Sequence, residues 1–361
     1  MNEDSIDIDL VVSVLSRTVF SPFFTFLVPV FFLFQGYSFG SSYVWYSTFY
    51  WSVIFIVWSL RWSSNVYRNG IGSKPLDWNN QIVLITGGSS GVGELLASTL
   101  AFRNVTVVVL DIRPFVTDKD NIAFYKCDVS DWREVEVVAK KVIQEVGHPT
   151  ILVNNAGVVQ GRLILDLKPE DVIQTFGVNA LAHFWTLKAF LPNMIERKSG
   201  HIVTLASVMG LAGSAQMTDY SASKAAVINL HECLRYELDN RYSAPNIRTT
   251  VLCPGHVLTP LFSTITVPPN ALYRFFFPSL SPLTIVKAII QALDMQESRT
   301  IYLPFYANSS VLIKTLPSFV RDLAQKLANA DYMMRDFRKV TAIRGDEIDL
   351  DKYAIGRHKL E

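Results

Sequence analysis

The fold of this 361-residue chain is decided by the stretch Gln81-Ile82-Val83-Leu84-Ile85-Thr86-Gly87-Gly88-Ser89-Ser90-Gly91-Val92-Gly93. Its first six residues are mostly apolar and predict a short buried strand. A glycine-rich turn at 86–93 follows, and residues 94–102 are predicted to form a helix. Such a turn brings backbone N–H groups and the positive end of a helix dipole to one place, which favours the binding of an anion. A glycine-rich turn alone is a weak signal, but here a strand precedes it and a helix follows it.

Further apolar runs also end in polar residues. The run at 105–110 ends in Asp111, and another strand closes at Cys127-Asp128-Val129. A third run at 151–153 is followed by Asn154-Asn155-Ala156-Gly157. Strands that alternate with helices predict an α/β fold with a doubly wound parallel sheet of the Rossmann type. In such folds the ligand binds at the carboxyl ends of the strands, which is where these polar residues fall.

Asp111 lies 18 residues after Gly93, where a carboxylate can accept hydrogen bonds from the ribose of a dinucleotide. A negative charge there disfavours a 2′-phosphate, so we predict NAD as the cofactor, with NADP kept open by the nearby Arg113. If the glycine-rich turn is a chance match, Asp111 is an ordinary solvated residue at a strand end. Only 15 residues separate Asp111 from Cys127, and Pro114 is among them. We therefore expect a crossover helix of one or two turns.

A second group of polar residues lies further along the chain. Ser207 follows an apolar run, and Tyr220 and Lys224 are four residues apart in a predicted helix, which places them on the same face. A free phenol has a pKa of about 10, and an adjacent ammonium group favours the phenolate. Beside a bound nicotinamide, this pair could exchange a proton with an alcohol while Ser207 holds the substrate oxygen. The three residues predict alcohol–ketone interconversion.

Together these motifs resemble those of the short-chain dehydrogenase/reductase family over residues 76–303. The resemblance is carried by the 86–93 turn, Asp128, Asn154-Asn155-Ala156-Gly157, Asn179, Ser207, Tyr220, Lys224 and Pro254-Gly255. It implies that Tyr220 is the catalytic acid and base, that Lys224 binds the nicotinamide ribose and lowers the Tyr220 pKa, and that Ser207 orients the substrate oxygen. It also implies that Asn179 holds a water molecule that relays protons.

The resemblance implies a set of cofactor-binding residues as well. Asp128 would bind the adenine amino group, Asn154 would stabilise the central sheet and the cofactor pocket, and Val257 and Thr259 would fix the carboxamide and the pyrophosphate. The predicted cofactor-binding residues are Thr86, Gly87, Ser89, Ser90, Gly91, Val92, Gly93, Asp111, Asp128, Val129, Asn155, Ala156, Gly157, Tyr220, Lys224, Pro254, Gly255, Val257 and Thr259. His256 is expected to be an ordinary solvated loop residue.

Residues 18–60 contain no charged side chain. A helix needs about 20 residues to cross a bilayer core of about 30 Å, so this region predicts two membrane spans, at 19–34 and 43–60. Arg17 precedes the region and Arg61 and Arg68 follow it, which favours a hairpin with both ends and the catalytic domain in the cytosol. There are two alternatives: one segment spans the membrane while the other lies in the membrane interface, or the region forms a buried core helix.

Residues 179–192 resemble one branch of the family, the membrane-associated retinol and 17β-hydroxysteroid dehydrogenases of the endoplasmic reticulum and lipid droplets. This resemblance implies a membrane-anchored oxidoreductase that interconverts a lipophilic alcohol (retinoid, steroid or long-chain lipid) with its ketone or aldehyde. The alternatives are an NADPH-dependent 3-keto-lipid reductase and a catalytically silent membrane protein that binds a dinucleotide or a lipid. Homo-oligomers are common in the family.

The sequence therefore divides into a membrane-anchor region at 1–75, a catalytic domain at 76–305 and a C-terminal region at 306–361. The loop 208–217 and the segment 261–280 are expected to line the substrate cleft, although the aromatic residues of the latter could equally form core. An amphipathic helix at 318–328 could lie on the membrane or dock on the catalytic domain or a second subunit. The charged stretch at 345–361 is expected to be loose.

Composition excludes other classes of function. The net charge of +1 gives no reason to expect a nucleic-acid partner. The three cysteines have no metal-ligand spacing and predict free thiols in a reducing compartment. The six histidines do not cluster with carboxylates, so no metal site is predicted.

Overall fold

The computed structural model describes residues 7–72 and 75–338. These residues belong to two compact units, one on each side of residue 75. The amino-terminal unit is helical and aromatic, whereas the larger unit contains the sheet.

The amino-terminal unit consists of helices α1 (Ile8–Arg17), α2 (Pro22–Phe34) and α3 (Ser42–Asn69). Asp7 caps α1 by accepting a hydrogen bond from the Leu10 amide, and Pro22 opens α2 at a position where no amide donor is needed. Side chains of α3 fasten the chain near the start of α2: the Tyr50 hydroxyl donates to the Val19 carbonyl (2.9 Å) and the Trp51 indole to the Pro22 carbonyl (3.1 Å). Many of the aromatic side chains of this unit are exposed.

These helices differ from the two predicted spans at 19–34 and 43–60. Because Pro22 opens α2, that helix has 13 residues and a length of about 20 Å, short of a bilayer core of about 30 Å. Helix α3 has 28 residues, but serines, two asparagines and two arginines dilute its apolar character. Among the described residues, no single helix has both the length and the apolar composition for a span, and only α1 and α2 taken together, with a bend of 52°, meet those criteria.

The larger unit contains a seven-stranded parallel sheet, counted over residues 75–338, with the order β3-β2-β1-β4-β5-β6-β7. The strands are β1 (Ile82–Thr86), β2 (Thr106–Asp111), β3 (Ile122–Lys126), β4 (Ile151–Asn154), β5 (Gly200–Leu205), β6 (Ile247–Pro254) and β7 (Arg299–Leu303). The helices of this unit are α4 (Gly91–Phe102), α5 (Trp132–Glu145), α6 (Pro169–Phe176), α7 (Ala182–Arg197), α8 (Thr218–Asn240), α9 (Ala271–Phe276), α10 (Pro282–Met295), α11 (Ser310–Ile313) and α12 (Ser318–Leu327). The predicted parallel α/β fold of the Rossmann type is confirmed.

A hydrophobic core covers each face of the sheet. On one face, side chains of α4 and α10 such as Leu100 and Ile289 pack on the central strands. On the other face, side chains of α5, α7 and α8, including Phe190 and Leu238, fill the second core. Because both faces are buried, the central strands are apolar along nearly their whole length, and their carboxyl ends form the one edge that can carry polar chemistry.

The connection between β2 and β3 contains no helix in the described chain, so the predicted crossover helix of one or two turns is wrong. Pro114 has no amide donor and restricts the residue before it, which disfavours a helix just after Asp111. Asn121 closes the connection instead, because its side-chain amide donates to the carbonyls of Ala101 (3.0 Å) and Val105 (2.9 Å). Strand β3 ends at Lys126, so Cys127, Asp128 and Val129, which were predicted to close this strand, all follow it.

The described part of the C-terminal region, residues 306–338, belongs to the same compact unit as the sheet and is not a separate region. Helix α12 forms where the amphipathic pattern predicted it, with Phe319, Leu323 and Leu327 exposed. Residues 339–361, which include the charged stretch at 345–361, lie outside the described residues.

Candidate active site

The glycine-rich turn joins β1 to α4 at the carboxyl edge of the sheet. Ser90 takes the N-cap position of α4 in an extended conformation, and its side chain makes no capping hydrogen bond. The first amides of α4 are therefore directed toward the edge of the sheet without a side-chain acceptor. Gly87 has a φ of +64°, and a Cβ at this position would lie 2.7 Å from the Ala156 Cα, so only glycine fits.

Polar contacts tie this turn to the end of β4. The Thr86 hydroxyl accepts hydrogen bonds from the amides of Asn155 (3.0 Å) and Ala156 (3.1 Å). The Asn155 side chain donates in return to the carbonyls of Thr86 (3.0 Å) and Gly87 (2.9 Å). Asn154, to which the sequence assigned the pocket-stabilising role, instead accepts a hydrogen bond from the Thr186 hydroxyl (2.8 Å). It therefore braces β4 against α7, and the contact to the turn is made by Asn155.

Asp111 ends β2 beside the same turn and is buried. Its carboxylate accepts hydrogen bonds from the amides of Ser89 (2.9 Å) and Arg113 (2.9 Å). It therefore fixes the conformation of the turn and also places a negative charge beside it. The Arg113 guanidinium donates to the Ser90 hydroxyl. A carboxylate and a guanidinium thus lie together where the ribose of a dinucleotide would be held.

Two more predicted cofactor residues follow β3. One carboxylate oxygen of Asp128 accepts from the Ser130 amide (2.9 Å) and hydroxyl (2.7 Å), which fixes the side chain at the edge of the sheet. Val129 is buried and packs with Cys127 in the core. Asp128 is therefore held rigidly, and Val129 acts through packing.

The loop after β6 approaches the glycine-rich turn from the other side. A Cβ placed at Gly91 would lie 3.6 Å from the Thr259 methyl group. Val257 is buried and pairs with Leu280, and the Gly255 amide donates to the Leu303 carbonyl (2.7 Å). Pro254, Gly255, Val257 and Thr259 therefore close one side of a cleft whose floor is the turn at 86–93.

The residues present fit a nicotinamide dinucleotide. A Cβ added at Gly157 would lie 3.6 Å from Asn179 Oδ1 and 3.8 Å from Lys224 Nζ, so the absence of a side chain there leaves open the space beside the Lys224 ammonium. The α4 amides and Thr259 lie at the other end of the same cleft. Donors for a pyrophosphate, a carboxylate for a ribose and a cation for the second ribose are therefore all available.

Ser207, Tyr220 and Lys224 are brought together at the ends of β5 and α8. The Ser207 hydroxyl accepts from the Met209 amide (3.1 Å) and donates to the Pro254 carbonyl (3.4 Å), and its influence on the Tyr220 phenol lowers the pKa of that phenol. Tyr220 and Lys224 are both buried in the first turns of α8, as their spacing predicted. The Lys224 ammonium lies 5.8 Å from the centre of the Tyr220 ring and donates to the Leu205 carbonyl (2.7 Å).

The protonation of this group differs from the sequence-based prediction. Burial raises the pKa of Tyr220 to about 12, against the opposing effect of its hydrogen bond with Ser207. Burial also lowers the pKa of Lys224 to about 8, although Cys253 opposes that shift. The pKa of Tyr220 is thus raised where a lowering by Lys224 was predicted, because burial disfavours the charged form of the phenol.

Asn179 lies in a π-helical turn, Gly177–Leu181, between α6 and α7. Its side-chain oxygen accepts from the Val158 amide (2.8 Å), and its side-chain amide donates to the Val158 carbonyl (2.9 Å) and the Ser223 hydroxyl (3.1 Å). These contacts make Asn179 a positioning residue that links the end of β4 to α8. Its predicted contact to a relay water stays a prediction.

Apolar side chains that the motifs did not single out surround Tyr220. Val159, Met217 and Met334 are buried in one apolar cluster with it, and Phe262 contacts its ring edge-on with 5.9 Å between ring centres. Of these, Met217 and Phe262 fall in the two segments expected to line the substrate cleft. Met334 comes from the C-terminal region, and no sequence motif pointed to it.

His256 differs from the solvated residue that was expected. Its Nδ1 atom is 2.8 Å from the Ser279 hydroxyl, whereas its Nε2 atom is buried with no hydrogen-bond partner among the described residues. Burial lowers the pKa of His256 to about 4, so it is neutral at physiological pH. Its ring lies 6.4 Å from that of Phe262, which makes it part of the same wall of the cleft.

Comparison with known proteins identifies the family. Residues 81–268, just over half of the chain, match the short chain dehydrogenase family. The chain is 35% identical over 264 residues to short-chain dehydrogenase/reductase family 16C member 6 of Bos taurus, a match that covers 70% of this chain and 82% of the relative. It is 37% identical over 247 residues to epidermal retinol dehydrogenase 2 of Mus musculus, covering 65% of this chain and 78% of the relative.

A solved structure agrees with these relatives. The structure of 4-hydroxyisoleucine dehydrogenase complexed with NADH matches this chain with a TM-score of 0.54 and 25% identity, covering 62% of this chain and 97% of that chain. The family match, the relatives and the parallel sheet with its polar carboxyl edge all lead to one conclusion. This chain belongs to the short-chain dehydrogenase/reductase family and is an oxidoreductase that uses a nicotinamide dinucleotide to act on CH–OH groups.

Proposed function

We propose that this enzyme interconverts a lipophilic alcohol and its ketone or aldehyde, with Ser207, Tyr220 and Lys224 as its catalytic residues. The observation that carries the proposal is the position of Tyr220. Its side chain interacts with the Ser207 hydroxyl, lies near the Lys224 ammonium, and belongs to a buried apolar cluster. A proton-transferring group in such surroundings suits a substrate whose reacting oxygen is its main polar feature.

The residues of this chain have separate tasks in the proposed reaction. The bound nicotinamide dinucleotide accepts a hydride in oxidation or supplies one in reduction. Tyr220 takes the proton of the substrate hydroxyl in oxidation and returns a proton to the substrate oxygen in reduction. Ser207 holds the substrate oxygen through its hydroxyl group. Lys224, whose ammonium lies 5.8 Å from the Tyr220 ring centre, stabilises the negative charge that develops on the phenol.

Asn179 positions these catalytic residues through the backbone and side chains that it contacts. It fastens Val158 to Ser223, and Ser223 lies beside Lys224 on α8. We propose that its backbone carbonyl, in the π-helical turn, is the group that binds the predicted relay water, because its side chain is already engaged. π-Helical turns inside helices are often found at functional sites, which fits this role.

The substrate class is inferred from the wall of the cleft. Two thioether side chains and an aliphatic residue lie in one buried cluster with Tyr220, and an aromatic ring contacts its phenol ring edge-on. Methionine side chains are flexible and fit irregular apolar groups, as retinoids, steroids and long-chain alcohols require. The relative named epidermal retinol dehydrogenase 2 supports the same class.

For the cofactor we propose NAD(H), because the Asp111 carboxylate lies beside the glycine-rich turn. The rival is an NADPH-dependent reductase of 3-keto lipids, and one observation favours it: the Arg113 guanidinium contacts the Ser90 hydroxyl at the same place. A guanidinium can bind a phosphate, whereas a carboxylate repels it. The carboxylate is buried and the guanidinium is partly exposed, so we expect the carboxylate to dominate.

We propose further that residues 1–75 attach the enzyme to the endoplasmic reticulum or lipid droplets, with the catalytic domain in the cytosol. The support is the uncharged stretch at 18–60 and its exposed aromatic side chains, which include stacked pairs such as Trp45 with Phe49 and Trp58 with Trp62. Tryptophan and tyrosine favour the membrane interface. Deletion of residues 1–70 should release the protein from membranes in a flotation assay, and continued flotation of a variant that also carries Leu323→Asp on α12 would contradict the proposal.

The proposed reaction is tested with membranes that contain the full-length protein. They are incubated with NAD and a panel of retinol, hydroxysteroids and long-chain alcohols, and NADH formation is followed by absorbance. The same panel is run in reverse with the matching ketones or aldehydes and NADPH. Turnover with NAD supports the proposal, turnover confined to NADPH and ketones supports the reductase, and no turnover at all leaves only a silent binding protein.

A further inference from the structure

The C-terminal region reaches the catalytic tyrosine. Met334 is 2% exposed and lies in one buried cluster with Val159, Met217 and Tyr220. Phe337 packs against the same cluster. Both residues lie outside the part of the chain that matches the family, which ends at residue 268. One wall of the active site therefore comes from beyond the region that the family model matches; this part is here called the tail segment and comprises residues 328–338.

The tail segment is held by both walls of the substrate cleft. On the side of the loop before α8, the Ser214 hydroxyl donates to the Ala330 carbonyl (2.8 Å) and the Ala215 amide to the Asp331 carboxylate (3.0 Å). On the side of the segment 261–280, the Tyr273 hydroxyl donates to the Ala328 carbonyl (2.8 Å). The tail segment thus bridges two parts of the chain that were expected to line the cleft.

Two further contacts fix the far end of the tail segment. The Thr266 amide donates to the Met333 carbonyl (3.1 Å). The Thr264 hydroxyl both donates to the Arg338 carbonyl and accepts from the Arg338 amide, each at 3.0 Å. Because the backbone is held on both sides of Met334, the side chain of Met334 has a fixed place in the buried cluster that contains Tyr220.

Phe337 packs against one glycine of the catalytic domain. It lies on Gly161, where a Cβ would come within 2.1 Å of its ring. Gly161 has a φ of +67°, a conformation that glycine adopts without strain. The Gly161 carbonyl also accepts a hydrogen bond from the Gln216 side chain (3.0 Å), which links Gly161 to the loop before α8. A substituent at residue 161 would therefore displace Phe337 while leaving the Met334 side chain chemically unchanged.

We infer that Met334 is a specificity-determining residue, which limits the size of the group that can lie beside the Tyr220 phenol. The inference rests on the proposed function, since it concerns the substrate of the same site. A substrate must place its reacting carbon next to Tyr220, and Met334 occupies the apolar surface there. Shortening Met334 enlarges this space, and lengthening it fills the space. The tail segment would thus select slender alcohols, such as long-chain and retinoid alcohols, over bulky ring-borne secondary alcohols.

The test compares Met334→Ala and Met334→Trp with the wild type on retinol and on a hydroxysteroid. Met334→Ala should raise kcat/KM for the hydroxysteroid relative to retinol by about tenfold or more, and Met334→Trp should shift the ratio the other way. Gly161→Ala, which displaces Phe337, should act in the direction of Met334→Ala. The matched control is Met333→Ala, because the Met333 sulfur faces the Tyr273 hydroxyl (3.7 Å) and not the cluster around Tyr220.

A binding measurement keeps this inference separate from the proposed reaction. Retinol fluorescence is titrated with each full-length variant in the absence of turnover, and NADH affinity is measured to show that the variants are folded. Weaker retinol binding by Met334→Trp, by about tenfold, supports the inference even if no alcohol is turned over. Unchanged binding by Met334→Trp, or a substrate ratio for Met334→Ala equal to that of Met333→Ala, overturns it whether or not the wild type is an active dehydrogenase.

Discussion

The two sides of the active site are held together by different forces. On the dinucleotide side, Thr86, Asn155 and Asp111 make short hydrogen bonds to backbone groups, so the position of each is fixed within a narrow range. On the substrate side, hydrogen bonds hold the backbone of the tail segment, but the side chains of Met217 and Met334 lie with Tyr220 in one apolar cluster. Hydrogen bonds are directional and resist displacement, whereas packing between flexible side chains can rearrange around a ligand.

This difference teaches how one fold can keep its cofactor and change its substrate. A polar network loses free energy steeply when one partner is removed, because the other partner is left buried and unsatisfied. An apolar wall tolerates exchange between side chains of similar volume. We therefore expect changes on the dinucleotide side to lower stability and cofactor affinity together, and changes on the substrate side to alter substrate choice.

The largest effect is expected where the two sides meet, at Tyr220. Tyr220→Phe removes the only atom of this side chain that can transfer a proton and leaves its packing in place. Turnover should fall by at least about a thousandfold, while NADH affinity changes little. Steady-state kinetics and NADH fluorescence titration measure the two quantities.

Tyr236→Phe is the matched control for this change. Tyr236 lies on the same helix α8 but is exposed, and its hydroxyl contacts Glu232 (3.4 Å). It should turn over substrate at the wild-type rate. If Tyr220→Phe also keeps more than a tenth of the wild-type rate, another group transfers the proton and the proposed mechanism is wrong.

The next largest effect is expected on the dinucleotide side. Thr86→Val removes the hydroxyl that accepts from the Asn155 and Ala156 amides and leaves both partly buried donors without this acceptor. This should lower the free energy of unfolding by about 2–4 kcal/mol and weaken NADH binding. Thr86→Ser should keep most of the stability and most of the NADH affinity. Urea unfolding and NADH titration measure the two quantities.

Met217→Leu provides the counterpart on the substrate side. Met217 is as buried as Thr86, but the exchange keeps its volume and breaks no hydrogen bond. It should lower the free energy of unfolding by less than about 1.5 kcal/mol and leave NADH affinity unchanged. If Thr86→Val and Met217→Leu lower the free energy of unfolding by the same amount, the distinction between the two sides is wrong.

The same division explains which parts of the protein could be predicted from the sequence. The 86–93 turn, its flanking strand and helix, and the pair Tyr220 and Lys224 are local patterns, because each depends on residues close together in the chain. The parallel sheet followed from the repetition of such patterns. Local pattern and tertiary structure agree in these regions.

The errors concern quantities that only the folded chain determines. The Tyr220 pKa was expected to fall, but burial, which is a tertiary property, raises it. Met334 is 114 residues away from Tyr220 in sequence, and nothing in its neighbourhood in the chain indicates that the two are in contact. Asn154 was expected to stabilise the central sheet and the cofactor pocket; its side chain contacts Thr186, while the neighbouring Asn155 bonds the glycine-rich turn, because successive residues at a strand end point in different directions. The predicted crossover helix is wrong for a local reason, because Pro114 disfavours a helix just after Asp111.

A smaller effect is expected for cofactor choice, at the outer end of the dinucleotide side. Asp111→Asn removes the negative charge and can still accept hydrogen bonds from Ser89 or Arg113. The ratio of kcat/KM with NAD to that with NADP should fall by about ten- to a hundredfold, because repulsion of the 2′-phosphate is lost. Arg113→Ala should raise the same ratio, and Arg103→Ala, an exposed arginine beside Asp294, is the control. An unchanged ratio in Asp111→Asn would show that this residue does not select the cofactor.

The smallest effect concerns the buried charge of Lys224, which lies on the border between the two sides. Its pKa is about 8 in the folded protein and 10.5 without burial, so between these values the unfolded chain holds more protons and stability rises with pH. From pH 8 to pH 9 this contributes about 1 kcal/mol to the free energy of unfolding. Lys224→Met keeps the length of the side chain but cannot titrate, so its urea-unfolding curve should lack this rise. Because the other titrating groups are common to both proteins, the difference between the two pH profiles isolates Lys224, and parallel profiles would mean that its ammonium is not desolvated in the way its burial implies.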